Sequence, residues 1–289
     1  MERKVIRKKK LTIFIVTLVI ALSVGCKFSE RNVSERKVNE TKVKYNVYLK
    51  DINVGGKSKS EVEQIIWELS NGIDTPPKDA VLNEETLEIT PEEPGKKLDI
   101  ESTLEAVLSA KEGERVEPVV QEMKPKITQK DVEKTIVEIA SYSTPLLDDS
   151  ENRVDNIDTA SEYLNNEKVQ PGEEFSFNGT LGRRTAEKGY KKAPIIKRTQ
   201  SGPKKGYGIG GGICQLSTTL YNAVEKAGLE ITERHSHSKK VPYVPQGKDA
   251  MVAYGSSDFR FKNNRQNPIV IKSEIKDGKV TVRLYEIRK

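Results

Sequence analysis

One thiol, two imidazoles and a glycine loop stand in the second half of this 289-residue chain. The run Gly210-Gly211-Gly212-Ile213-Cys214-Gln215-Leu216-Ser217-Thr218-Thr219-Leu220-Tyr221-Asn222 delivers Cys214 to the start of a predicted helix, with Leu216, Leu220, Ala223 and Val224 on one face. The only two histidines, His235 and His237, follow about twenty residues later. A thiol in a first helical turn meets unpaired N–H groups and the positive end of the dipole, which favour the thiolate. The same N–H groups can hold an oxyanion. On a strand over Glu230–His237 the two histidines share a face, so either can act as base to a Cys214 nucleophile. Asp249, Asp258 or Asn263 could orient the imidazole, and Asp258 is the expected choice.

The same residues have other readings. His-Ser-His spacing with Cys214 could supply three ligands to zinc, but no HExxH or paired-cysteine pattern accompanies it, and no metal is expected. The glycine run lacks the Lys-Ser/Thr of a phosphate loop, which argues against a nucleotide, and no cofactor is expected. Gly211, Gly212, Gln215 and Ser217 could line a binding cleft without chemistry. Arg184 and Arg234, like Arg183, could fork onto the carboxylates of a peptide, or be surface ion pairs. Tyr190 and Tyr243, like Tyr207, could stack on sugar rings, or fill a core with few other aromatics.

The elements that must position these groups read as α+β, in two small domains. Residues 46–125 form the first. A strand starts at Val47–Leu49, and Ser60-Glu61-Val62-Glu63 reads as a capping box opening a helix with Val62, Ile65, Ile66 and Leu69 inward. A hairpin runs over 80–90, and a second helix over about 101–110 carries Leu104, Val107 and Leu108. Nothing in this domain carries chemistry. Thr128 caps a predicted linker helix over 126–141, with Val132, Ile136 and Ile139 inward. The second domain spans 142–289. It has a helix over 152–164 and ends in a hairpin, Pro268–Ile275 and Val280–Ile287 around Asp277-Gly278.

Several ordered blocks of the second domain resemble the VanW family. They are Arg153 with Asn156-Ile157, Pro171-Gly172-Glu173 with Phe175-Ser176-Phe177-Asn178, Gly182 with Arg184-Thr185, and Gly189-Tyr190 with Ala193-Pro194. The Gly210–Asn222 run follows, then Ala227-Gly228-Leu229, Glu233–Ser238, Tyr243-Val244-Pro245, and Tyr254-Gly255 with Asp258, Arg260 and Phe261. Residues 57–110, with Val54-Gly55-Gly56 before a capped helix and Pro94-Gly95 before Leu98-Asp99, resemble the peptidoglycan-binding domain that often precedes a VanW domain. The resemblance implies a bacterial envelope protein that faces peptidoglycan. It does not by itself assign a reaction.

The N-terminus agrees with that location. Six Lys/Arg in residues 1–25 precede and flank an uncharged stretch from Leu11 to Val24, the pattern of an export signal. Fourteen residues fall short of the ~20 that span a bilayer comfortably. Ser23-Val24-Gly25-Cys26 resembles a lipobox, with Ser23 where leucine is usual, so Cys26 is the expected lipidation site and an uncleaved anchor is the rival. Residues 26–45 are polar and read as a tether. The expected place is the outer face of the cytoplasmic membrane, within the wall. Charge is divided, with 18 Lys/Arg against 26 Asp/Glu in residues 26–150 and 25 against 16 in residues 151–289. The basic half suits peptidoglycan or another anionic wall polymer, or simply attracts the acidic half. No nucleic-acid reader motif is present. Two functions compete: a cysteine-dependent amidase, peptidase or transpeptidase, and a non-catalytic wall-binding scaffold.

Overall fold

The computed structural model describes residues 41–199 and 202–288, and residues 42–289 form one compact unit. The expected signal, the expected lipidation site Cys26 and most of the expected tether lie outside the described residues. Two hydrophobic cores sit within the unit, one on each side of about residue 134.

The first domain runs through β1 (Tyr48–Leu49), β2 (Ile52–Asn53), α1 (Lys59–Ile73), β3 (Val81–Leu82), β4 (Ile89–Thr90), β5 (Gly95–Leu98), α2 (Ile100–Ser109), β6 (Arg115–Val116) and β7 (Val120–Met123), and β1, α1, β5, α2 and β6 supply its core. β1 pairs antiparallel with β2 and parallel with β6, and β5 pairs antiparallel with β7. Val62 and Ile66 of α1 meet Leu104 and Val107 of α2 in this core. Two expectations are corrected here. The capping box is Ser58 with Glu61, not Ser60 with Glu63, because Ser58 holds the extended backbone an N-cap needs while Ser60 is already helical. Val43 is buried and bonded to the Lys57 carbonyl, so the domain begins before residue 46.

The expected linker helix is also corrected. α3 (Gln129–Glu133) is capped by Thr128 and ends after five residues, and the chain then enters β8 (Ile136–Pro145). Val132, Ile136 and Ile139 have helical spacing, but β-branched Ile136, Val137 and Ile139 fit a strand, and a distant partner decides it. That partner is β16 (Lys279–Ile287), which pairs with β8 from Ile287↔Ile136 to Lys279↔Pro145.

The second domain therefore begins near residue 136. Its main sheet runs β8–β16–β15–β9, with β15 (Ile269–Lys276) and β9 (Lys168–Val169), all antiparallel. Asp277 and Gly278, at φ 49° and 68°, make the expected tight turn between β15 and β16. α4 (Glu151–Leu164) and α6 (Ile213–Lys226) cover one face of this sheet. Between them in the chain run β10 (Glu174–Ser176), α5 (Phe177–Leu181), and the hairpin of β11 (Lys192–Thr199) and β12 (Gly202–Ile209). β13 (Glu230–Glu233) and β14 (Arg260–Lys262) join β10 in a small sheet, where Phe175 stacks on Phe261 at 5.0 Å.

Among the described residues, no helix is long and apolar enough to cross a membrane.

Candidate active site

α6 begins against a wall that admits no side chain on its glycine loop. A Cβ at Gly211 would come within 2.6 Å of the Pro194 carbonyl oxygen. Gly212 is the N-cap at φ 108°, a left-handed value, and its Cβ would meet Arg153 and Ile157 of α4 at 3.0 Å. Asn156 of α4 locks the loop: its Nδ2 donates to the carbonyls of Gly211 and Lys191, each at 3.0 Å, and its Oδ1 accepts the Lys191 N–H at 2.6 Å. The Ile213 N–H bonds the Gly210 carbonyl and the Gln215 N–H bonds the Gly212 carbonyl. The Cys214 amide between them belongs to the first turn, which has no acceptors inside a helix.

Every polar residue after Cys214 in the run is spent on neighbours. Gln215 accepts from Arg153 at 2.6 Å and donates to Thr144 and Pro145 of β8, each at 2.9 Å. Ser217 donates to the Ala250 carbonyl at 2.7 Å, and Thr218 bonds both the Ala250 carbonyl and its N–H. Asn222 holds the Lys248 carbonyl at 2.7 Å. These bonds fasten the 248–252 segment along α6, which sets the Val252 carbonyl 3.4 Å from the Cys214 Sγ. Burial of so many polar side chains is tolerated only because each is paired.

The histidines part company. β13 ends at Glu233, so the strand expected to run to His237 stops four residues early and the shared face is lost. His235 turns to Glu233, 2.8 Å from its Nε2, and does not line the Cys214 cleft. His237 lines the same cleft as Cys214, and the two are paired electrostatically, each shifting the other's titration. Its Nδ1 lies 2.7 Å from Asp249 Oδ2, which also accepts the His237 N–H at 2.7 Å. Nε2 is thus the nitrogen left for sulfur. Arg234 secures the carboxylate's loop by donating to the carbonyls of Asp249 and Gly247, with its guanidinium 4.6 Å over the Tyr221 ring.

Asp258 does not orient the base. It accepts from Ser176 Oγ at 2.6 Å and from the N–H groups of Asn178 and Phe259, and it pairs with Arg260, tying α5 to the small sheet. Asn263 is buried and bonds Val169 and Asn267.

The charges reinforce one another. Burial pushes the Cys214 thiol up, but His237, with Arg184 beyond, outweighs it and the net shift is down. Burial pushes His237 down, yet Cys214 and then Asp249 carry it above its ordinary value. Asp249 is likewise raised by burial and lowered further by its two bonds to His237, ending low. The arrangement favours a thiolate–imidazolium pair braced by a carboxylate.

Around Cys214 opens a cleft of about 760 Å³. Gly211, Gly212, Arg184 and Tyr243, named from sequence as candidate contact residues, line it. Tyr243 stands beside Arg153 and the thiol, and burial drives its phenol well above the ordinary range. Arg184 donates to Asn178 Oδ1 at 2.6 Å and the Gly182 carbonyl at 3.0 Å, with its plane over Phe177. Three expected contact residues, Ser217, Tyr190 and Arg234, sit elsewhere, and a fourth, Gln215, lines the cleft while buried. Gln215 is 1 % exposed and its amide is fully paired, although its edge reaches the cleft; Ser217 is 0 % exposed and Tyr190 1 %. Burial raises the Tyr190 phenol to about 12. Arg234 does not line the cleft and acts through Asp249.

Sequence reasoning passed over Arg153, Lys239, Lys240 and Tyr254, which also line the cleft. Arg153, a guanidinium on the inward face of an amphipathic helix, carries a signal of its own in the sequence. Among the described residues, no group of three or more His, Cys, Asp and Glu side chains is placed to hold a metal ion.

Comparison with known proteins follows these two cores. Residues 152–285 match a family model described as "VanW like protein", and residues 20–117 match one described as "Putative peptidoglycan binding domain". The chain is 44 % identical over 148 residues to "Uncharacterized protein YoaR" of Bacillus subtilis (strain 168), covering 51 % of this chain and 48 % of that protein. It is 28 % identical over 140 residues to "Vancomycin B-type resistance protein VanW" of Enterococcus faecalis (strain ATCC 700802 / V583), covering 47 % and 50 %. The chain thus spans about half the length of the curated relatives it matches. No solved structure matches it. The chain thus carries a region similar to VanW-like proteins, preceded by one similar to a peptidoglycan-binding domain, and this pairing supports a cell-wall-associated protein.

Proposed function

We propose that the VanW domain is a cysteine-dependent acyl-transfer enzyme, an amidase, peptidase or transpeptidase, acting on the peptide stems of peptidoglycan. The observation that carries this is the relay Cys214–His237–Asp249 at the mouth of a basic cleft, in a protein with a peptidoglycan-binding domain. The Cys214 thiolate attacks a stem carbonyl, and the Cys214 amide in the first turn of α6 receives the oxyanion. As the tetrahedral species collapses, a thioester forms and the C–N bond breaks. His237 Nε2 gives its proton to the departing amine. Water or a second amine then attacks the thioester, His237 takes that nucleophile's proton, the C–S bond breaks, and the thiolate–imidazolium pair is regenerated. Asp249 is a positioning residue that fixes the ring and steadies its charge.

The reading extends to location. An exported chain held at the outer face of the cytoplasmic membrane, by lipid on Cys26 or by an uncleaved apolar segment, would present this cleft to the wall. Loss of membrane association in Cys26→Ala separates the lipid from the uncleaved segment.

Wild type and Cys214→Ser, each incubated with purified peptidoglycan, test the chemistry by product masses. Wild type should give fragments with a hydrolysed or exchanged amide bond, and the variant none. Equal binding by both, with no new mass from wild type, would put the wall-binding scaffold in its place.

A further inference from the structure

The β11–β12 hairpin grows directly out of the glycine loop that carries Cys214. β12 ends at Ile209, one residue before the glycine run, and β11 and β12 pair only with each other. Directly paired residues of antiparallel strands share a face. The register Lys192↔Ile209, Pro194↔Tyr207 and Ile196↔Lys205 therefore sets Lys192, Pro194, Ile196, Lys205, Tyr207 and Ile209 on one side. All six are exposed, Tyr207 at 69 %, Ile196 at 41 % and Ile209 at 38 %. A sheet face that serves only solvent is polar; this one carries two isoleucines, a proline and a tyrosine beside two lysines. Pro194, Ile196, Lys205 and Ile209 line the Cys214 cleft, and Tyr207 continues the same face.

Charge narrows what lies there. From Lys188 to Val224 the chain has seven Lys/Arg and no Asp or Glu. Across the cleft stand Arg183, Lys239 and Lys240, and among the described residues none of these, nor Lys205, has a carboxylate within ion-pair distance. The one acidic residue in the cleft wall, Asp148, faces Arg153. A cleft with many unpaired cations and one engaged carboxylate attracts an anionic ligand.

We infer that the outward face of the β11–β12 hairpin is the surface on which a carboxylate-bearing peptide stem is laid beside Cys214. Ile196, Ile209 and Pro194 take its short apolar side chains, Tyr207 covers its outer end, and Lys205 pairs with a stem carboxylate. This rests on the acyl-transfer reading for the identity of the ligand, but not for its being bound.

Protection of Cys214 from alkylation reads binding at this cleft and not at the first domain. A soluble muropeptide with free stem carboxylates, and its amidated counterpart, are titrated against iodoacetamide labelling of Cys214 in the full chain. Each variant is referred to its own unprotected rate. In wild type the acidic muropeptide should protect at lower concentration than the amidated one. Tyr207→Ser should raise the half-protecting concentration of both roughly tenfold, about 1.4 kcal/mol. Lys205→Gln should abolish the preference for the acidic form. Half-protecting concentrations unchanged in both variants, or no preference for the acidic form in wild type, would overturn the inference. Protection that behaves as expected while product masses never change would remove the enzyme reading and leave this one standing.

Discussion

The two cores of this protein bury different things. In the first, the buried polar side chains are Ser58, which caps α1, and Thr103 of α2, whose Oγ1 accepts from the Val119 N–H. In the second, Arg153, Asn156, Gln215, Ser217, Thr218, Thr219, Asn222 and Asp249 are all buried and lie behind one thiol. Polar burial is costly when unpaired and adds little net stability when paired. A small domain that only has to fold and present a surface avoids it. A domain that must hold a sulfur, an imidazole and a carboxylate in fixed register accepts it. The contrast makes the second domain the place to test for chemistry.

The sharpest way to break that contrast is to remove the relay. His237→Ala and Asp249→Asn should each lower turnover on peptidoglycan by about 10²- to 10⁴-fold, measured as product formed per enzyme. Comparable activity in either would mean the buried polar cluster is structural only. Asp249→Asn also carries a pH signature. The carboxyl lies low in the folded state, so its contribution to stability is present above its unfolded value of ~4 and is lost as pH falls through the folded value. Thermal melts should show wild type losing its advantage over the variant on that acid limb. His237, raised in the fold, contributes below ~6.5 and loses that contribution as pH rises through its folded value.

Asp258→Ala probes the carboxylate that lies elsewhere. It strands four donors, at Ser176, Asn178, Phe259 and Arg260, and should cost about 3 kcal/mol in denaturant unfolding. The folded fraction should keep the wild-type rate of Cys214 labelling. Gly212→Ala should cost about 1–3 kcal/mol, from its φ of 108° and the contacts at 3.0 Å. The smallest effect belongs to the first domain. Gly72, near the end of α1, would meet nothing within 4 Å, so Gly72→Ala should stabilise by about 0.5 kcal/mol.

Much of this was legible in the chain, for local reasons. The amphipathic spacing of Leu216, Leu220, Ala223 and Val224 and the glycines before Cys214 placed the thiol at a helix start. Asp277-Gly278 announced the last hairpin, which supplies two strands of the main sheet. The misses were long-range. Ile136 and Ile139 fit a helix until β16, some 140 residues on, claims them as a strand. Choosing between His235 and His237 needed the end of β13. Choosing between Asp249 and Asp258 needed the path of the 248–252 segment, which Thr218 and Asn222 fasten to α6. Spacing along the chain does not encode such a path.

The central claim is that Cys214 is an activated thiolate and not a buried small residue. The rate of iodoacetamide alkylation against pH, in wild type and in His237→Ala, measures this directly. Wild type should inflect below the ~8.5 of a free thiol, and loss of His237 should move the inflection upward. A wild-type inflection at or above the free-thiol value, unmoved by His237→Ala, would contradict it.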